Sequence, residues 1–127
     1  MKVSSATAVL IVDRVEATRD FFTRAGFEVL AEVPDGDTLG FVILMKDSVQ
    51  VMAETRTNSR EPASLQKIMR ESRRAAVFFE VDDVDAVIKA LAGARVLVER
   101  HTTFYGSDEL TFEEPGGNLV TFAKITR

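Results

Sequence analysis

Few side chains in this sequence could do chemistry, and each has a plain structural alternative. Glu54 and Glu80 stand near the ends of apolar runs, where a carboxylate could serve as a general acid or base or as the counter-ion of a bound cation. Carboxylates at strand ends are also commonly just solvated. His101 is the single histidine, and an imidazole can shuttle protons close to neutral pH. Beside Thr102, Thr103 and Tyr105 it also reads as an ordinary loop residue. Tyr105 supplies a ring and a hydroxyl on the same loop, a combination suited to contacting a ligand. Arg70, Arg73 and Arg74 could meet an anion, or form a solvated face with Glu71 on a polar stretch.

What is missing narrows the chemistry further. The chain has no cysteine, which excludes disulfides, iron–sulfur clusters, thiolate zinc sites and a cysteine nucleophile. One histidine excludes any centre built on two or more imidazoles. A net charge of −4 argues against nucleic acid as a partner. The 127 residues suit a single domain over residues 1–127, and 46% hydrophobic with 28% charged residues is a globular composition. The longest apolar stretch, Ala6 to Val12, is far below the roughly 18 residues of a spanning helix. The opening Met-Lys-Val-Ser-Ser lacks the apolar core of a signal peptide, so a cytoplasmic protein without a membrane partner is expected.

The elements that must position those residues repeat. Ala6–Val12 reads as a buried strand, and Asp13 as the cap of a helix over Val15–Ala25 with Ala17, Phe21, Phe22 and Ala25 at helical spacing. Gly26 ends it. Strands follow at Phe27–Val33, Thr38–Met45 and Val49–Glu54, separated by turns at Pro34–Asp37 and Lys46–Ser48. The order then recurs: a strand at Arg74–Val81, Asp83 as cap, a helix at Val84–Leu91, and strands at Ala94–Arg100, Ser107–Phe112 and Leu119–Ile125. Ala25-Gly26-Phe27 answers Ala92-Gly93-Ala94, and Leu30-Ala31-Glu32 answers Leu97-Val98-Glu99. The fold class is therefore α+β, built from two βαβββ modules at about 4–54 and 74–126. Between them, residues 55–73 form a polar connector in which Ser59–Ala63 starts a helix and Leu65, Ile68 and Met69 make an apolar stripe; a lid or partner-binding segment is the other reading.

Paired βαβββ units resemble the vicinal oxygen chelate superfamily, which holds glyoxalase I, extradiol dioxygenases and bleomycin-resistance proteins. Val12-Asp13-Arg14-Val15-Glu16-Ala17, Phe21-Phe22 and Ala25-Gly26-Phe27 resemble its opening signature, and Val81–Ala86 the second-half counterpart. Tyr105-Gly106 and Phe112–Asn118 resemble its closing segment. The resemblance covers nearly the whole chain outside the connector. It implies curved mixed sheets enclosing a concave pocket, which in this family usually holds a divalent metal. By resemblance the metal-ligand positions fall at Ala6, Ala76 and Thr121, with the fourth at Gln50 or, one strand repeat along, Met52. Alanine offers no donor atom and one glutamine makes a poor site, so no metal and no other cofactor is expected.

If Ala6 and Ala76 face the pocket, strand alternation puts Ala8, Leu10, Phe78 and Glu80 with them, and Val9, Ile11, Val77, Phe79 and Val81 in the core. Thr121 and Ala123 then face inward, as do Gln50, Met52 and Glu54. Phe78 and Met52 could stack on a planar ligand or fill a collapsed core. The expected ligand-binding set is Gln50, Met52, Phe78, Glu80, His101, Tyr105 and Thr121, with no catalytic or metal-binding residue among them. The reading that follows is a metal-independent protein resembling the bleomycin-resistance branch. It would sequester an aromatic or cationic small molecule at or near the interface of a homodimer. The alternative is a metal-free lyase or isomerase using Glu80, Glu54 or His101.

Overall fold

Alternation along the first strand sets the arrangement of the first unit. The computed structural model describes residues 1–126; Arg127, the last residue of the expected domain, lies outside them. Strand β1 (Ala8–Val12) is followed by helix α1 (Val15–Arg24), then β2 (Glu28–Asp35), β3 (Thr38–Lys46) and β4 (Val49–Thr55). They form one mixed sheet in the order β1-β4-β3-β2, parallel only between β1 and β4. Register aligns Leu10 with Ala53 and Ala53 with Val42, and all three are fully buried on the side that α1 covers. The helix buries Val15, Thr18, Phe21 and Phe22, spaced to lie along one stripe. Phe22 meets Phe21 and Phe27 edge-on at 5.2 and 5.3 Å. Gly26, at φ +96°, takes the left-handed turn that ends α1.

Two local expectations fail here. Asp13 does not cap α1: Arg14 occupies that position with no side-chain cap, and Asp13 pairs with Arg56 at 2.6 Å. Asp13 stands one residue before the cap position, and its carboxylate takes the Arg56 guanidinium in a charge-assisted bond instead. The facing expected for β1 is inverted as well, although α1 starts at Val15 as its spacing predicts. Leu10 and Val12 are core, whereas Val9, 43% exposed, and Ile11 lie on the opposite face.

The connector packs with the first unit, which spans Met1–Arg73. Its helix α2 (Ala63–Arg70) starts after Pro62 and buries Met69, while Leu65 and Ile68 stay exposed. The expected apolar stripe is therefore only partly covered. Arg56 Nη1 donates to the carbonyls of Met69 (3.2 Å) and Ser72 (3.0 Å), capping the C-terminal end of α2.

The second unit, from Arg74 on, repeats the topology. It comprises β5 (Ala76–Glu80), α3 (Val84–Ala90), β6 (Val96–Thr102), β7 (Ser107–Glu113) and β8 (Leu119–Ile125), ordered β5-β8-β7-β6. Asp83 caps α3 as expected, its carboxylate accepting from the Ala86 N–H at 3.0 Å. Phe79, Phe112 and Phe122 form the core beneath this sheet, with Phe122 stacked on Phe79 at 5.4 Å and edge-on to Phe112 at 6.0 Å. The turn before β8 is held by Glu114, which is fully buried. Its carboxylate accepts from the N–H groups of Gly116 and Asn118 and from Asn118 Nδ2, while Asn118 Oδ1 accepts from the Ala75 N–H. The closing motif is thus a structural clamp. Among the described residues no helix is long and apolar enough to cross a membrane.

Candidate functional site

Each sheet turns one face to its helix and leaves the other open, and the chemistry lies on the open faces. On the first sheet, register aligns Val9, Met52 and Ile43 in one row and Ile11, Glu54 and Phe41 in the next. Gln50 sits opposite Met45. Gln50, Met52 and Glu54 therefore share a face, as alternation along β4 predicts, and that face is largely apolar. Glu54 is its exception. It is only 7% exposed, contrary to the solvated alternative for a carboxylate at a strand end, and Asn58 Nδ2 donates to its Oε2 at 2.9 Å. Burial holds its carboxyl above the usual glutamate range, and the neighbouring Glu61 adds to that shift; the Asn58 bond opposes it in part.

On the second sheet the rows are Phe78, Thr121 and Thr111, then Glu80, Ala123 and Glu109, with His101 opposite Glu109. Phe78 is 50% exposed and Glu80 is exposed, while Phe79 is core, so the facing read for β5 holds. Thr121 is committed: its hydroxyl meets that of Thr111 at 2.7 Å. His101 is not on a loop but in β6, where backbone pairing with β7 orients its ring; Nδ1 lies 2.9 Å from the Glu99 carbonyl. Tyr105 does lie at the β6–β7 hairpin tip, and its hydroxyl donates to Glu109 Oε2 at 2.8 Å. Arg74 is no anion site either, since it bonds the Gly117 carbonyl and Glu113.

The metal implied by the resemblance does not fit these residues. Counting back from the actual α1 cap moves the first ligand position from Ala6 to Thr7. Thr7, Ala76, Thr121 and Met52 or Gln50 offer no carboxylate and no imidazole, the donors a divalent ion needs here. Among the described residues no three histidine, aspartate or glutamate side chains are grouped to hold an ion.

The family profile described as Glyoxalase/Bleomycin resistance protein/Dioxygenase superfamily matches residues 4–122. The chain belongs to that superfamily. Solved structures agree on the fold: TioX from Micromonospora sp. ML1 is 20% identical, with a TM-score of 0.76 over 98% of this chain and 100% of that one. Lactoylglutathione lyase from Agrobacterium tumefaciens is 17% identical, with a TM-score of 0.72 over 98% and 95%. A family enzyme from Burkholderia phytofirmans PsJN is 16% identical, with a TM-score of 0.71 over 94% and 97%. None of the curated proteins matches the sequence.

Within this superfamily fold, sequence reasoning missed Glu109. It is 9% exposed in the middle of the second open face, bonded by Tyr105 and by Ser107 Oγ at 2.5 Å. The signal was present: Ser107, Glu109 and Thr111 alternate with Leu110 and Phe112, placing three polar side chains on one face of β7.

Proposed function

We propose that this superfamily member is a small-molecule binding protein like those of the bleomycin-resistance branch, holding an aromatic or cationic ligand on its open sheet faces without a metal. One observation carries the reading. At the positions where the superfamily places metal ligands this chain has no carboxylate or imidazole, and exposed apolar side chains stand on the same open faces, Val9 on the first sheet and Phe78 on the second. Such surface is favourable to cover and costly to leave wet. A thermal-shift screen of aromatic and cationic small molecules, followed by calorimetry on the hits, tests it. Stabilising hits that bind without added metal and weaken in Phe78→Ala support the reading. A protein that binds only with added metal would overturn it.

We further propose that two copies pair. Strands β1, β2, β5 and β6 are sheet edges, and an edge strand invites pairing or packing by another chain. Light scattering should give twice the 14.0 kDa chain mass at micromolar concentration. The metal-free lyase or isomerase reading has one observation in its favour, the buried Glu54 with its raised carboxyl. It requires turnover that Glu54→Gln abolishes while ligand binding persists.

A further inference from the structure

The acceptors around Glu109 are arranged with a donor missing between them. Glu109 Oε2 is saturated, taking hydrogen bonds from Ser107 Oγ (2.5 Å) and Tyr105 Oη (2.8 Å). Both bonds fall on Oε2, and an ionised glutamate accepts at its second oxygen as well. Its other oxygen, Oε1, faces His101 Nε2 at 4.0 Å, beyond hydrogen-bond length. The state of that nitrogen follows from the far side of the ring. Nδ1 sits 2.9 Å from the Glu99 carbonyl, which can only accept, so Nδ1 carries the proton. In the neutral ring Nε2 is then a bare acceptor, and two acceptors face each other across 4.0 Å.

We propose that Glu109 Oε1 and His101 Nε2 form the anchor for a primary ammonium group on the bound small molecule. A nitrogen about 2.9 Å from each acceptor fits across a 4.0 Å gap, and an ammonium carries enough N–H groups to satisfy both. A hydroxyl has a single proton and satisfies one. The protein's nearby guanidinium does not compete: Arg100 is held by both Asp108 oxygens (3.0 and 2.8 Å) and by Asp85 (2.6 Å). Tyr105, about half exposed beside the carboxylate, supplies ring surface for the ligand's apolar part. The assignment rests on the binding reading above and names the chemistry at one end of that site.

The test compares 2-phenylethylamine with 2-phenylethanol, matched in ring and chain and differing in the head group, by calorimetry and by NMR of the histidine ring. With one histidine in the chain, the ring signals belong to His101 alone. The amine should bind at least about tenfold more tightly than the alcohol, the scale of a charge-assisted bond. The amine, and not the alcohol, should shift the Nε2 resonance. Glu109→Gln should erase most of the preference, and His101→Ala, at a partly exposed position, should reduce it while leaving the fold intact. Equal binding of amine and alcohol overturns the anchor, as does an Nε2 signal that ignores the amine. A primary-amine screening hit that binds wild type, Glu109→Gln and His101→Ala alike also overturns it, while leaving the broader binding reading in place.

Discussion

Asn58 Nδ2 bridges Glu54 Oε2 at 2.9 Å and the Gly40 carbonyl at 3.3 Å, tying the start of the connector to the end of β4 and to β3. Both partners are buried, so the bond secures a carboxyl that has left water. The tie has a consequence for stability against pH. The folded state raises the Glu54 carboxyl above its ordinary value of 4.5, through burial first and Glu61 second, so folding favours the protonated form. That contribution is fully present below pH 4.5 and is lost as pH rises through the raised folded value. Asp35, bonded by Ser59, and Asp108, bonded by Arg100, run oppositely: both are lowered from 3.8, and their contribution fades as pH falls below that value. Glu54→Gln keeps an acceptor for Asn58 and removes the charge. Urea midpoints of the variant should gain on wild type steadily from pH 4.5 towards 8. Parallel curves would show that Glu54 is not paying a burial cost.

The two helix starts give a second contrast. Asp83 caps α3 through the Ala86 N–H, whereas Asp13 only pairs with Arg56 at the surface. Asp83→Ala should cost about 1 kcal/mol, the usual loss for a cap. Asp13→Ala should cost about 0–1 kcal/mol, and less in high salt, as for an exposed ion pair. Chemical denaturation of the two variants at low and high salt measures both. An equal, salt-insensitive loss at Asp13 would restore it as a cap.

How far the sequence reached is clearest at these two aspartates. Both stand after an apolar run and before a helix, and local pattern treats them alike. What separates them is one position: Asp83 directly precedes Val84, whereas Arg14 stands between Asp13 and Val15, and Asp13 is taken up by Arg56, brought alongside by the parallel pairing of β1 with β4. Both βαβββ modules were legible because strand and helix periods, turns and repeat spacing are local. The facing of β5 was legible too, since Phe79 and Phe78 separate cleanly into core and surface. The facing of β1 was not, because Val9, Leu10 and Ile11 are all apolar and alternation among them carries no phase. Gln50, Met52 and Glu54 share one face as alternation predicts, but the bond from Asn58 and the charge of Glu61 that act on Glu54 come from the connector, out of reach of local pattern. Glu109 escaped because its meaning depends on two hydroxyls and an imidazole that the hairpin turn folds back over it.

Phe78 offers a test of whether its ring is core or surface. Truncating a buried phenylalanine costs about 3–5 kcal/mol. Half-exposed Phe78 should lose clearly less in Phe78→Ala, whereas Phe79→Ala, on the other face of the same strand, should approach that range. Thermal or urea unfolding of the pair decides it. Equal losses would make Phe78 part of a filled core and remove it from the ligand face.

Tyr105→Phe isolates one hydroxyl. From its place on a hairpin tip, loss of the hydroxyl would be expected to leave stability unchanged. The structure gives that hydroxyl a partner, Glu109 Oε2 at 2.8 Å, and the two sit on one hairpin four residues apart. Deleting it leaves the carboxylate with Ser107 alone and should cost about 1 kcal/mol, the net worth of a typical protein hydrogen bond. The ring itself stays, so contacts to a flat apolar ligand should persist. If Glu109 anchors an ammonium, the variant should keep the preference for amine over alcohol, because Oε1 and His101 Nε2 are untouched. Unfolding midpoints and amine affinities measured side by side separate the two roles. Unchanged stability together with lost amine preference would mean that the hydroxyl contacts ligand directly and not through Glu109.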